Sequence, residues 1–565
     1  MKNLFCLFSV IFSLFILVSC GGNENSQNDS WGESYTVGND DISLSLRLAG
    51  RDNNASSGND IDCMNINCIE KLAAIAFKIT DGKGEVVFQK SVKREELKDL
   101  KELTGIKDAE NATLTVSIFE ADDTLQANMN TVTWAGKVTG LKFKKGETTT
   151  VDLLLYPQSQ NTQKTMPEGL NVPRFGHTST LLADGRILVA GGFTACGSNG
   201  KCQATDSVEI IDMESGTVET LANMTERRAM HKAVAMGDGS VVFIGGVQGF
   251  SAVQQEEAFE GFPLLPYSQM NAVSFIERYM PSYPKHNMKL NNLGNEIENK
   301  TQKIDSQIPF NIFQSILTRK ISDNQFDVYL VGGLDSENQP SNKSYKFSLT
   351  LNGNGQLSVS TPTELAESSE PMLLPSIAYS DGSILAVGGR PADSEYAASL
   401  ISESSSEDKG QNSGYNLFFA SSIGLNNNLY TFGGFNTKDG SITETEYNKV
   451  LEWNASSEVK AGSKNMMTRD QTIVFSDITY DEANDRFIVV GGTNASDIYQ
   501  VVNATSLEVY GTTPSHQMFD NRVMPGTVII PAGIISPNPV AIITGGISEL
   551  GSTGTAVKDI EINIM

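Results

Sequence analysis

"GRILVAGG", Gly185 to Gly192, is a short apolar run that ends on two glycines. Taken alone it fits either a buried strand or a loop that cradles phosphate. It recurs, however, as "GSVVFIGG" ending at Gly246, "FDVYLVGG" at Gly333, "GSILAVGG" at Gly389, "NNLYTFGG" at Gly434, "DRFIVVGG" at Gly492 and "PVAIITGG" at Gly546. The intervals are 54, 87, 56, 45, 58 and 54 residues, near the length of a four-stranded propeller blade with one long insertion.

The residues before the glycines read as hairpins. "LLADGRILVAGG", "VAMGDGSVVFIGG" and "IAYSDGSILAVGG" each set Asp-Gly between two apolar runs, a strong short-range turn signal. "DSVEIIDMESG" and "NAVSFIERYMPS" supply a third strand in the first two units, with Val208, Ile210 and Ile211 aligned on Val273, Phe275 and Ile276. "GTVETLANM" and "LEVYGTTP" read as outer strands. One such sheet cannot bury both of its faces, whereas sheets stacked around an axis can. A phosphate loop would need G-x-G-x-x-G before a helix, or a G-K-[ST] ending, and "VAGGFTACGSNGK" has neither. The glycines are therefore read as places where the backbone turns or packs too closely for a Cβ.

Over residues 165–565 the chain resembles the kelch-repeat β-propellers, close in fold to galactose oxidase. The resemblance rests on the seven glycine pairs and on Arg174-Phe175-Gly176-His177 and Arg228-Ala229-Met230-His231, offset by the same 54 residues as their glycines. It departs from the family pattern downstream of the glycines, where the expected tyrosine and tryptophan are mostly absent and Trp453 is the propeller's sole tryptophan. Only "ISELGSTGTAVKDIEINIM" follows Gly546, too little for two strands, so the last sheet is expected to borrow its outer strand from "NTQKTMPEGLNVP".

Recurrence of Arg-x-x-His in adjacent units favours a packing device, because a substrate site needs unlike residues converging from several blades. A copper-radical oxidase would need a cysteine cross-linked to a tyrosine and at least two histidines on the metal. The propeller's cysteines, Cys196 and Cys202, share one loop, so no metal or other cofactor is expected. Kelch propellers also include sugar mutarotases. That leaves a carbohydrate-active enzyme, mutarotase or oxidase-like, working in the propeller channel as the alternative to a binding protein.

At the N-terminus Lys2 precedes the apolar run "LFCLFSVIFSLFILV" and then Leu17-Val18-Ser19-Cys20, which resembles the lipobox of bacterial lipoproteins. The resemblance implies a signal peptide over 1–19, cleavage before Cys20 and lipid on its sulfur, hence a membrane partner through Cys20. Gly21 is not the aspartate that signals inner-membrane retention, so the outer membrane is favoured. Residues 20–34, rich in Gly, Asn and Ser, read as a flexible tether. The remaining cysteines form two close pairs, Cys63 with Cys68 and Cys196 with Cys202, read as local disulfides of an exported chain; a zinc site would need four ligands, and no histidine is near either pair. The net charge of −25 is spread along the chain without a basic block, which argues against nucleic acid as a partner.

Residues 35–157 alternate apolar and polar positions, as in Ile42, Leu44, Leu46, Leu48 and in Leu114, Val116, Ile118. With Leu97, Leu100 and Leu103 at helical spacing, they read as a small β-sandwich of about six strands and one short helix. "GLKFKKGETTTVDLLLYP" resembles the closing strand of immunoglobulin-like or transthyretin-like modules. The expected architecture is thus all-β: a seven-bladed kelch-type propeller preceded by a small Ig-like or transthyretin-like sandwich. The insertion "GFSAVQQEEAFEGFPLLPYSQ" carries Phe250, Phe259, Phe262 and Tyr267, aromatic anchors for a protein or glycan partner. The expected function is non-catalytic binding at the cell envelope.

Overall fold

The computed structural model describes residues 31–38, 42–49, 72–97, 106–120, 132–158, 162–196, 201–251, 271–281, 300–304, 307–337, 339–391, 393–411, 416–436, 450–455, 459–461, 474–493, 498–508, 516–518, 520–549 and 554–565. The signal segment, Cys20, Cys63, Cys68, Leu100, Leu103, Phe259, Phe262 and Tyr267 lie outside them. Among the described residues the chain is almost wholly β, and no helix is long and apolar enough to cross a membrane.

The N-terminal part holds β1 (Trp31–Gly38), β2 (Ile42–Ala49), β3 (Leu72–Thr80), β4 (Val86–Lys93), the one-turn α1 (Arg94–Leu97), β5 (Ala109–Glu120), β6 (Trp134–Phe143), β7 (Glu147–Leu154) and β8 (Tyr156–Pro157). They form a three-stranded sheet, β1-β2-β7, and a five-stranded sheet, β4-β3-β5-β6-β8. Leu44, Val151 and Leu153 of the first meet Ile75, Ile79, Leu114, Val116 and Ile118 of the second in one buried cluster. The alternation read in the sequence is the physical basis of both sheets. One boundary and one count change: β1 begins at Trp31, inside the stretch assigned to the tether, and the described residues hold eight strands where about six were expected.

From Thr162 onward the described residues build seven sheets of four or more strands. In the first, Thr178–Leu181, Ile187–Ala190, Val208–Asp212 and Thr217–Thr220 pair in order, all antiparallel. The other six open with Lys232–Ala235, Ser315–Ser322, Ser376–Ser380, Ser421–Leu425, Asp477–Asp481 and Gly526–Ile530. These opening strands touch one another in sequence order, and the last touches the first, so the sheets stand in a closed ring around an axis.

The second strand of each sheet is the apolar run before a glycine pair, and it is buried throughout because a neighbouring sheet covers each face. Alternate side chains serve opposite interfaces. Ile187 and Val189 pack with Val540 and Ile542 of the seventh sheet, whereas Leu188 and Ala190 pack with Val241 and Phe243 of the second. The same division recurs around the ring, down to Ile488 and Val490 against Ala541 and Ile543.

The seventh sheet combines both ends of this region: β9 (Thr162–Thr165) pairs with Ile560–Ile564. The ring therefore starts at Thr162 and not at 165. Two strand assignments also change. Val208 pairs with Ala190 and Ile276 with Ile244, each the residue before a glycine pair, so Val208 is equivalent to Ile276 and the sequence alignment was three residues out. The outer strand of the sixth sheet is His516–Gln517; Leu507 and Glu508 of "LEVYGTTP" follow the third strand outside any strand.

Candidate functional site

All seven glycine pairs have both residues at positive φ. A Cβ on Gly491 would lie 2.1 Å from the Arg522 carbonyl oxygen, on Gly388 2.1 Å from that of Leu417, and on Gly191 2.3 Å from that of Arg228, each in the segment leading into the next sheet. The following glycine donates its N–H to the same carbonyl: Gly192 to Arg228, Gly333 to Met372, Gly389 to Leu417, Gly492 to Arg522 and Gly546 to Arg174, at 2.7–2.9 Å. The pairs are thus the seam between adjacent sheets, and no phosphate cradle.

The Arg of Arg-x-x-His is equally architectural. Arg174 donates to the Gly191 carbonyl at 2.8 Å, to the Ser207 carbonyl at 3.0 Å and to Glu209, with both charged side chains fully buried. Arg228 repeats this with Gly245 and Glu277, and Arg522 with Gly545 and Glu561. Glu209 also accepts the N–H of Asn171 and of Val172, which fixes the loop that delivers the arginine. In the fourth sheet the cation comes from the other direction: Arg390, directly after the glycine pair, meets Glu370 and Asp408. Sequence reading found Arg174 and Arg228 but passed over Arg522, Arg390 and the glutamates, although each glutamate sits second in a third strand, in "VEII", "IERY" and "IEIN".

Both histidines face the previous sheet. His177 Nε2 lies 2.9 Å from Thr544 Oγ1, and His231 Nε2 lies 2.9 Å from Thr178 Oγ1. Burial holds the His177 pKa down at about 3, helped by Arg174 and Arg522, and holds His231 well below its usual value. Both imidazoles are neutral hydrogen-bonding struts.

This geometry of paired glycines, buried arginine and closing hairpin decides the motif. Residues 174–225 match the Kelch motif. The kelch unit spans the first sheet and the loop into the second, and its Arg, Gly-Gly and Glu recur in the second and seventh sheets. Among solved structures, "Structure of YjhT" is 12% identical over 70% of this chain and 96% of that one, with a TM-score of 0.34. No curated protein matches the chain.

Ahead of each opening strand comes a feature without any sequence signal. Gly176, Met230, Phe313, Leu374, Phe419, Phe475 and Met524 all adopt left-handed backbone, with φ between 50° and 60°. Six of the seven are bulky apolar residues, for which that conformation is costly by roughly 1–2 kcal/mol each. Each follows a buried anchor such as Phe175 or Ala229, which pairs back onto the residue after a glycine pair, and the chain must reverse to enter the opening strand. Backbone hydrogen bonds link these residues around the axis: Met230 to Gly176, Gly176 to Met524, Met524 to Phe475, and Leu374 to Phe313, at 2.8–3.0 Å. Their side chains form an apolar collar at one end of the ring, with Phe419 and Phe475 rings 4.9 Å apart and Met230 38% exposed.

The collar end also carries an extra sheet of Phe193–Cys196, Lys201–Ala204 and Gly249–Ser251. Cys202 is disulfide-bonded, and Cys196 is its register partner across that sheet. Phe250 pairs in register with Cys202 on its other side. Of the four aromatic anchors named from sequence, Phe250 alone lies among the described residues.

Inside the ring, from the collar inward, lies a cavity of about 740 Å³ lined by the second to sixth sheets and by collar residues Met230, Leu374, Phe419 and Phe475. Its charged wall residues are Lys232, Arg319 and Asp477. The Arg319 guanidinium stacks 3.7 Å from the Tyr379 ring centroid, a cation–π pair between the third and fourth sheets. Asp477 accepts the N–H of Thr527 at 2.6 Å and of Ile478 at 3.0 Å. The crowded wall strips water from its carboxyl and raises its pKa to about 6, with Lys232 pulling weakly the other way. Acidic, basic and aromatic groups therefore share this cavity, which no spacing in the sequence announced.

Proposed function

We propose that this chain is a lipid-anchored envelope protein in which a seven-bladed kelch-type propeller follows a small β-sandwich and binds a protein or glycan partner without transforming it. The collar end is the binding face in this reading. It gathers an apolar ring around the axis, an exposed Met230 and a disulfide-bonded extra sheet on a rigid scaffold. The anchor is Cys20 and the membrane the outer one. Cys63 with Cys68, and Cys196 with Cys202, are its disulfides. No nucleic acid and no cofactor take part.

The single observation that carries the binding reading is the collar: strain repeated in six bulky residues and spent on an apolar ring that reaches solvent. Partner capture by the full-length lipoprotein, compared with Met230→Glu, tests it. A stoichiometric partner or an arrayed glycan lost on substitution supports the reading, and equal binding by the variant defeats it. Cys20→Ser should release the protein from the membrane fraction.

A second reading, a carbohydrate-active enzyme of the mutarotase kind, is favoured by Asp477, whose pKa near 6 suits a general base at neutral pH. Sugar turnover that disappears in Asp477→Asn would establish it over the first.

A further inference from the structure

The cavity wall has a charge pattern at odds with the rest of the molecule. The chain carries a net charge of −25, yet two of the three charged residues in the wall are cations. Among the described residues neither Lys232 nor Arg319 forms an ion pair, although buried and half-buried cations elsewhere in the ring do. Lys232 is exposed to the cavity, and Arg319 is held by a ring face that leaves its N–H edges open.

The two cations sit at different depths. Lys232 pairs with Ile244 and Ser315 with Val331, each the residue just before a glycine pair, so Lys232 and Ser315 share one level below the collar. Arg319 lies four residues further along the same strand, about 13 Å deeper at the usual rise per residue. Between the two levels the wall includes Ile316, Leu317, Ile377, Ile423 and Ile478. Thr318 and Ser422 stand among them, so the lining reads cation, mixed polar and apolar wall, cation along the axis.

We infer that the cavity holds a linear organic dianion, two carboxylates joined by an apolar spacer, with one end at Lys232 and the other at Arg319. The cavity opens at the collar, since Met230, Leu374, Phe419 and Phe475 also line it, but the inference rests on Lys232 and Arg319 and not on the proposed partner binding. The spacer lies along this mixed wall, where the isoleucine edges offer some apolar contact, and the two ends make charge-assisted contacts. Asp477, at the Lys232 level, tunes the near end: its charged form competes for Lys232, and its protonated form does not. The groups bonded to it are Thr527 and Ile478, which do not titrate in this range, and Lys232 is the charged group that acts on it. Uptake therefore strengthens as pH falls through about 6.

The test is calorimetric titration of the full-length protein with a homologous series of α,ω-dicarboxylates from adipate upward, against monocarboxylates of equal length. Affinity should peak at the member whose carboxylates span about 13 Å and should exceed that of its monocarboxylate by roughly tenfold. Lys232→Met and Arg319→Met should each remove that advantage, with Arg319→Lys retaining part of it and unchanged melting temperatures showing that the variants fold. Asp477→Asn should abolish the gain on acidification while leaving binding intact. Equal affinity for mono- and dicarboxylates, no optimum in length, or no binding by any member overturns the inference. Loss of dicarboxylate binding in Arg319→Met, at the deep level, with partner capture intact would show that the two readings are independent.

Discussion

Gly491 condenses the local physics of the ring into one position. Its φ is +63° and a Cβ would stand 2.1 Å from the Arg522 carbonyl oxygen, so no small shift accommodates a side chain. Gly491→Ala should destabilise the protein by about 3 kcal/mol or more in urea unfolding, through strain and loss of the sheet-to-sheet seam. His177 gives a pH signature. Its folded pKa, about 3, lies below the unfolded value of 6.5, so its contribution is complete above pH 6.5 and is lost as pH falls toward 3. As pH falls below 6.5 the loss through this residue should steepen to about 1.4 kcal/mol per pH unit between roughly pH 5.5 and 4, and His177→Gln should lack that increment in denaturation measured across pH. Asp477 works in the opposite sense: its raised pKa adds stability below about pH 4 that is lost as pH rises through about 6. At this scale the glycines and the first two arginines were legible because a fixed chemical need repeats them. The collar was not, since Met, Phe and Leu carry no mark of left-handed backbone.

Among the elements, the third strands show how a buried charge pair organises a sheet. Arg174 and Glu209 are both fully buried, so removing one leaves the other uncompensated. Glu209→Ala should cost about 3–5 kcal/mol, and amide exchange should show the loop at Asn171 and Val172 opening first, because both N–H groups lose their acceptor. The closing strand offers a sharper test. Deleting residues 162–165 leaves "IEINI" as an unpaired apolar edge, and the variant should associate through it, as gel filtration and thioflavin fluorescence would reveal. A variant that stays monomeric and equally stable would show that closure does not depend on this strand. Strand periodicity was legible throughout, since a buried middle strand requires a continuous apolar run. Registers were less so: the three-residue error at Ile276 arose because a neighbouring apolar triplet, Val273 with Phe275 and Ile276, fits the same pattern.

At the level of the whole molecule, the N-terminal part is docked on the ring and not merely tethered to it. Glu214 in the first sheet's turn accepts the N–H and hydroxyl of Thr139, the Tyr156 hydroxyl donates to the Met213 carbonyl, and Lys164 stacks over Tyr156 at 4.2 Å. Glu214→Ala combined with Tyr156→Phe should split a single calorimetric transition into two, whereas an unsplit transition would mean that Leu154 packing on Gly216 suffices. The sequence by itself determined the all-β character, the repeated hairpins and the glycine seams, because local turn chemistry and strand burial write themselves into contiguous residues. Tertiary structure alone decided the collar, the glutamate partners of the arginines and the cavity that joins Lys232, Arg319 and Asp477. The arginines and glutamates meet only when the third strand folds back beside its sheet, and the collar and cavity groups come from different sheets that only closure of the ring brings around one axis.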